Sequence, residues 1–77
     1  MAETAFVLIA LDRSTPAAVA REVRTIEGVV EVHVTMGEFD VIARVEQDTT
    51  KGFPLVTAAI QRLEGVAKVS TCAVVTP

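Results

Sequence analysis

The sequence predicts an α+β domain in which two helices cover one face of a four-stranded antiparallel sheet. Runs of apolar residues follow the period of a strand or of a helix, in the order strand, helix, strand, strand, helix, strand. The two halves also repeat, because Ile26-Glu27-Gly28-Val29 recurs 37 residues later as Leu63-Glu64-Gly65-Val66. Since crossover connections are right-handed, two such units joined by a hairpin give the split βαβ, or ferredoxin-like, arrangement.

The first half begins with a predicted central strand. Residues 5–11 are apolar on both alternating faces, which is typical of a strand covered on two sides. Thr15 and Pro16 suit the N-cap and the first position of a helix. Gly28 is predicted to cap the C-terminus of that helix. Its apolar stripe, at i, i+4 and i+7, consists of Val19, Val23 and Ile26.

A hairpin and a second helical unit follow. In the first hairpin strand, the side predicted to be buried consists of Val30, Val32 and Val34, which alternate with Glu31, His33 and Thr35. In the second, Phe39, Val41, Ala43 and Val45 share one side, and the other carries Asp40, Ile42, Arg44 and Glu46. The second helix has the stripe Val56, Ile60 and Leu63 and is capped by Gly65. The last strand is predicted over 66–75, ending at Thr76 and Pro77.

The length of the chain predicts one domain, residues 1–77, that associates with a second copy. A chain of 77 residues buries only about 60% of its unfolded surface. The predicted fold also leaves one sheet face bare, and that face includes Ile42 and one side of the first strand. Because an exposed apolar patch of this size is rare in a monomer, we expect two sheets to pack face to face, as in a dimeric α+β barrel.

Composition argues against several classes of function. The net charge is −3 and no basic run occurs, which disfavours direct binding of nucleic acid. The longest apolar run, Ala5 to Leu11, is too short to span a membrane, and Glu3 stands where a signal peptide is basic, so we expect a cytoplasmic protein. The single cysteine, Cys72, is predicted to be a buried strand thiol. No metal or cofactor is expected from these spacings.

The turn Met36-Gly37-Glu38-Phe39-Asp40 is the candidate site for a small ligand. Gly37 can adopt a positive φ without steric cost, and Asp40 could pair with a ligand ammonium while backbone N–H groups bind a carboxylate. The alternative is that Asp40 hydrogen-bonds its own backbone in the turn. His33 is interpreted as a solvated or interface histidine, and Arg44 as one partner of an intersubunit ion pair.

The residues Gly37-Glu38-Phe39-Asp40, followed by a helix, Leu63-Glu64-Gly65-Val66 and a Thr-bearing last strand, resemble the effector-binding (RAM) domain of the Lrp/AsnC family of transcription regulators. The resemblance extends from Ala5 to Val75. It departs from the family in two places, since many members have Thr where this chain has Met36, and Pro where it has Glu64. Full-length members carry an N-terminal helix-turn-helix domain, so the chain is expected to be a stand-alone ligand domain without a DNA-binding domain.

This resemblance implies a non-catalytic regulatory module. Family members form dimers through their sheets and assemble into rings of dimers, with amino-acid effectors in the clefts between dimers. The residues that the resemblance places in the site are Thr35, Met36, Gly37, Glu38, Phe39, Asp40 and Thr71. It also implies mixed assemblies with full-length Lrp/AsnC-type regulators. Thr71 has the alternative role of an ordinary strand-forming residue.

Three functions follow from these patterns. The first is a module that binds an amino acid or a related metabolite at oligomer interfaces. The second is a small dimeric α+β-barrel enzyme, for which only His33, Arg44 and Asp40 are candidate catalytic groups, since no nucleophile–base arrangement or phosphate-binding glycine loop is visible. The third is a purely structural oligomerisation domain.

Overall fold

The six elements follow one another in the predicted βαββαβ order. The structure is a computed structural model and describes residues 2–75. The strands are β1 (Glu3–Leu11), β2 (Val29–Val34), β3 (Val41–Gln47) and β4 (Val66–Ala73), and the helices are α1 (Pro16–Val23) and α2 (Phe53–Gln61). The sheet order is β2-β3-β1-β4 and every neighbouring pair is antiparallel. The ferredoxin-like fold is therefore confirmed; the predicted chain end at Thr76 and Pro77 lies outside the described residues.

The hydrophobic core lies between the sheet and the two helices. Alternate residues of the two central strands are fully buried on the helix side, namely Ala5, Val7 and Ile9 of β1 and Val41, Ala43 and Val45 of β3. The helices contribute the predicted stripes, of which Val19, Val23, Val56 and Ile60 are buried. Because strand side chains alternate between faces, burial of one set leaves the other set on the face that no helix covers.

The two helices end earlier than their apolar stripes suggested. α1 stops at Val23 and α2 at Gln61, so Ile26 and Leu63 lie in the following turns, although both still pack partly buried against the core. Gly28 and Gly65 are thus not immediate caps. They have φ values of +98° and +90° in the turns that lead into β2 and β4. A side chain at Gly65 would overlap the hydroxyl of Ser14, so glycine is required there.

The internal repeat is visible in the backbone hydrogen bonds. Ile26 and Leu63 donate to the carbonyls three residues earlier at 3.1 and 3.0 Å. Glu46 N–H donates to Gly28 O at 2.8 Å and Asp12 N–H to Gly65 O at 2.7 Å, so each glycine turn is tied to the neighbouring central strand in the same way. The second half differs by an inserted 3-10 turn, Thr50–Gly52, ahead of α2. The two halves therefore join helix to strand through equivalent turns.

Only one of the three valines predicted to be buried in β2 is buried. Val32 is 7% exposed, whereas Val30 and Val34 are 50% and 51% exposed. The prediction is wrong at Val30 because a β-bulge interrupts the strand there: Val29 pairs with Val45 and Glu31 with Arg44, which leaves Val30 without a partner. Val34 lies at the hairpin end of β2, which is an edge strand.

The prediction of a buried Cys72 is also wrong. Cys72 is exposed on β4, the other edge strand, where it pairs with Phe6 on the face that no helix covers. That uncovered face carries the apolar residues Phe6, Leu8, Ala10 and Ile42 on the central strands. Neither helix between residues 2 and 75 is long and apolar enough to cross a membrane.

Candidate ligand-binding site

The β2–β3 hairpin is closed by two bonds from Thr35. Its backbone N–H donates to Asp40 O at 2.9 Å and its hydroxyl donates to Phe39 O at 2.7 Å. Gly37, at the tip, has φ +151°, a value that residues with a Cβ rarely adopt. Within the described residues, the N–H groups from Met36 to Phe39 donate to no backbone carbonyl. The hairpin therefore carries backbone N–H groups that the described backbone leaves without an acceptor.

Asp40 connects this hairpin to the central strand β1. Its N–H donates to Ile9 O at 2.9 Å, and its carboxylate Oδ2 accepts from Leu11 N–H at 2.8 Å. The sequence also allowed the Asp40 side chain to hydrogen-bond the backbone of its own turn. The structure shows a different partner, because Leu11 is 29 residues away along the chain. Of the hydrogen bonds made by residues 2–75, none uses Asp40 Oδ1. One carboxylate oxygen thus has a structural partner, and the other has none among the described residues.

The other hairpin residues differ in exposure. Met36, Gly37 and Glu38 are exposed, while Phe39 is half-buried. Lys68 Nζ of β4 lies 6.0 Å from the centroid of the Phe39 ring, at the outer limit of a cation–π contact. The hairpin is therefore an exposed tip with a partly packed base.

Thr71 lies on the helix side of β4, beside α2. Its hydroxyl oxygen is 2.8 Å from that of Thr57, and either can be the donor. The pair borders a cavity of about 410 Å³ lined by Phe53, Pro54, Thr57, Ala58, Gln61 and Thr71. Sequence reasoning identified only Thr71 among these residues. The cavity residues on α2 could have been suspected from the sequence because none of the nine residues of this helix is charged.

One copy of the chain does not bring Thr71 to the hairpin. Thr71 pairs with Val7, whereas Asp40 lies beside Ile9 and Leu11 on the opposite side of β1. Three residues along a strand and two strand spacings across the sheet place the Cα atoms of Asp40 and Thr71 roughly 14 Å apart. The predicted site is therefore divided between two separate parts of the molecule.

A charged cluster occupies the outer half of the uncovered sheet face. Arg44 Nε donates to Glu31 Oε1 at 2.8 Å and Arg44 Nη1 to Glu46 Oε2 at 2.6 Å, while His33 Nε2 lies 2.7 Å from Glu31 Oε2. The hydrogen bond from Arg44, and then that from His33, lowers the pKa of Glu31, and the bond to Glu31 raises the pKa of Arg44. Arg44, predicted to form an intersubunit ion pair, is thus paired within its own chain.

Each of the three candidate catalytic groups has a partner within the described chain. Arg44 and His33 both contact Glu31, and Asp40 is bonded to Leu11. Over residues 2–75, no three His, Cys, Asp or Glu side chains are grouped so that they could hold a metal ion. The hairpin and the α2–β4 cavity are the two parts of the described chain that contain the residues predicted to bind a ligand.

Several solved structures share this fold. TTHA0845 from Thermus thermophilus superposes with a TM-score of 0.88 at 29% identity, over 97% of this chain and 95% of its own. The hypothetical protein PHS023 from Pyrococcus horikoshii gives a TM-score of 0.83 at 28% identity, over 100% and 93% of the two chains. The transcriptional regulator NMB0573 from Neisseria meningitidis, solved as a complex with L-Met, gives 0.78 at 18% identity, over 96% of this chain but 50% of its own.

Sequence comparison identifies the family. No curated protein matches the chain. A family model, described as the Lrp/AsnC ligand binding domain, matches residues 4–76. This range includes the hairpin, the α2–β4 cavity and every element of the fold except the first residue of β1, Glu3. The chain belongs to the Lrp/AsnC ligand binding domain family.

Proposed function

We propose that this chain is a non-catalytic regulatory module that binds a small amino acid, or a related metabolite, between copies of itself and thereby modulates transcription regulators. The observation that carries the proposal is the match of a ligand-binding family over residues 4–76. The hairpin supports it, because Gly37 and Asp40 stand where the resemblance places the effector loop.

The hairpin has the chemistry that a free amino acid requires. Asp40 Oδ1, which is not used within the described chain, provides an anionic acceptor for the ammonium. The unpaired N–H groups from Met36 to Phe39 provide donors for the carboxylate. The complex of the Neisseria regulator with L-Met supports the same class of ligand.

The distance between the two parts of the site supports binding between copies. Asp40 and Thr71 are roughly 14 Å apart within one chain, whereas the backbone of one amino acid spans only about 3.6 Å. Because the central strand β1 also lies between the two residues, we propose that a ligand held by the hairpin of one copy meets Thr71 of another. This agrees with the ring-of-dimers assembly that the resemblance implies, in which effectors bind between dimers.

The uncovered sheet face supports a dimer as the first step of that assembly. Phe6 is 40% exposed there, next to Leu8, Ala10 and Ile42. Packing this face against a second copy removes the apolar residues from water, which is the main favourable term in association. A second copy would also place the Arg44 cluster at the rim of the interface.

The proposed regulatory role involves partner proteins that contain further domains. As the family resemblance implies, we propose mixed assemblies in which this domain pairs with the corresponding domain of a longer regulator; the chain spans about half of the Neisseria regulator. Ligand binding at the shared interface would then change how stable the mixed assembly is.

A thermal titration with the twenty common amino acids tests the proposal. A ligand at a hundred times its Kd stabilises the folded state by about 2.7 kcal/mol, which raises the Tm by more than about 10 °C for a domain of this size. At least one amino acid should give such a shift, and Asp40→Asn should reduce it. If no amino acid shifts the Tm while the protein remains assembled, a structural oligomerisation domain becomes the better description.

A further inference from the structure

β2 is an edge strand, so half of its peptide groups bond to β3 and the other half face away from the sheet. The bond from Thr35 N–H to Asp40 O, 2.9 Å long at the hairpin end, fixes which half is which. Because every second residue of an antiparallel ladder bonds to the neighbouring strand, the outward-facing peptide groups are those of Val34 and Val32. These groups form a row to which another strand can bond.

The sequence of β2 also favours pairing with a further strand. Four of its six residues, Val29–Val34, are valine, and the strand contains neither Gly nor Pro. Segments of high β propensity without Gly or Pro pair readily with other strands when they lie at an open edge. Val30 and Val34 are both about half-exposed, so apolar side chains accompany the outward-facing peptide groups. β2 therefore has both the backbone and the side chains that strand pairing requires.

Arg24, at the C-cap of α1, lies along this edge. Its Nη2 donates to Val32 O at 3.4 Å and so occupies one of the outward acceptors. Arg24 and residues 29–32 line a surface depression of about 220 Å³. Within residues 2–75, no carboxylate forms an ion pair with Arg24. Since paired strands lie only about 4.8 Å apart, another strand cannot approach Val32 while the guanidinium is there.

The edge is complementary to the same edge of a second copy. Antiparallel pairing about a two-fold axis at Val32 brings the outward-facing peptide groups of the two copies together. The same register places Val30 of one copy opposite Val34 of the other, which covers the two half-exposed valines. It also places Glu31 opposite His33 of the other copy, so that no two acidic side chains are opposed.

We infer that Arg24 holds the β2 edge closed against the β2 edge of a second copy. Loss of the guanidinium frees Val32 O and the space beside it, and two four-stranded sheets can then join into a single sheet. This contact differs from the proposed sheet-face dimer, because it is formed by peptide groups of the edge and not by the apolar residues of the uncovered face. The inference therefore does not depend on the proposed function or on any ligand.

Sedimentation velocity of Arg24→Ala without ligand, over a range of protein concentrations, tests the inference. The variant should form species of about twice the parental mass whose fraction rises with concentration, because each copy pairs with one other. Its circular dichroism spectrum and Tm should stay close to those of the parent, since Arg24 is exposed. Arg21→Ala is the matched control, because Arg21 is also exposed on α1 but does not line the depression beside β2.

Three outcomes contradict the inference. Arg24→Ala assembles as the parent does, Arg21→Ala associates as strongly as Arg24→Ala, or Arg24→Ala unfolds. The last outcome counts because the inference gives Arg24 no part in the stability of the fold.

A second substitution assigns the new contact to β2. Val34→Pro removes an outward-facing N–H but leaves the ladder to β3 intact, because proline is tolerated on an edge strand where its nitrogen faces solvent. Combined with Arg24→Ala, it should return the protein to the parental mass, and alone it should assemble as the parent does. If the double variant associates as strongly as Arg24→Ala, the new contact lies elsewhere and the inference is wrong.

Discussion

Substitutions at Asp40 separate its structural hydrogen bond from its proposed contact with a ligand. Asp40→Ala removes the acceptor of the 2.8 Å bond from Leu11 N–H and leaves that half-buried donor without its partner. Hydrogen bonds to charged groups contribute roughly 1.5–3 kcal/mol. Because Asp40 is partly exposed, we expect a loss of about 1.5–2 kcal/mol in the free energy of unfolding. For a domain of this size that corresponds to a fall in Tm of roughly 6–16 °C.

Asp40→Asn keeps an acceptor oxygen for Leu11 N–H but removes the negative charge. The free energy of unfolding should therefore fall by less than about 1 kcal/mol, because the hydrogen bond survives in neutral form. Ligand affinity should fall by roughly 1.5–3 kcal/mol, about one to two decades in Kd, because the contact to the ammonium is no longer charge-assisted.

Urea denaturation at fixed protein concentration measures the first effect and calorimetric titration with the best-binding amino acid measures the second. Fixed concentration matters because association changes apparent stability. Asp48→Ala and Asp48→Asn are matched controls, since Asp48 is exposed in the loop after β3, and both should leave stability and affinity unchanged. If Asp40→Asn destabilises the fold as much as Asp40→Ala while the ligand still binds with parental affinity, Asp40 has only a structural role and the ligand site lies elsewhere.

Three further predictions concern backbone conformation, assembly and pH. Gly37→Val should lower the free energy of unfolding, measured by urea denaturation, by on the order of 1–3 kcal/mol, because a β-branched residue must adopt φ +151° there. The added Cβ itself meets no atom within 4 Å. Gly65→Val should lower the free energy of unfolding further in the same experiment, because its side chain also overlaps Ser14. Leu8→Glu, on the uncovered face beside Ile42, should leave the monomer folded but raise the dissociation constant of the dimer by more than about a hundredfold, because dimerisation would bury an unpaired carboxylate. Sedimentation velocity measures this, with Ala17→Glu as the control. An unchanged assembly would contradict the sheet-face dimer. Arg44 and His33 lower the pKa of Glu31 in the folded state. The ionised Glu31 therefore stabilises the fold at pH values above its ordinary pKa of 4.5, and this stabilisation is lost as the pH falls through the lowered pKa. Glu31→Gln should make the free energy of unfolding depend less on pH in the acid range, whereas Glu27→Gln, at another exposed glutamate, should not.

The order of the elements and the inward faces of the central strands could be predicted from the sequence alone. Alternation placed Val41, Ala43 and Val45 in the core, and helical spacing did the same for Val56 and Ile60, because both periods are local properties of the backbone. The repeat placed Gly28 and Gly65 at matching positions, and both have positive φ values, although neither is the helix C-cap that the sequence predicted. The glycine turn from Met36 to Asp40 also located the β2–β3 hairpin, at which we propose that the ligand binds.

Which side chains these elements cover depends on how the elements pack in three dimensions. Val30 is exposed because it lies at a β-bulge, whose position depends on the register between β2 and β3. Cys72 is exposed because it lies on the edge strand β4, on the sheet face that points away from the helices. The bond from Leu11 to Asp40 and the meeting of Thr57 with Thr71 join residues far apart in the chain. Local periodicity specifies the direction of each side chain but not the neighbour it meets, since that neighbour is set by how the elements pack against one another.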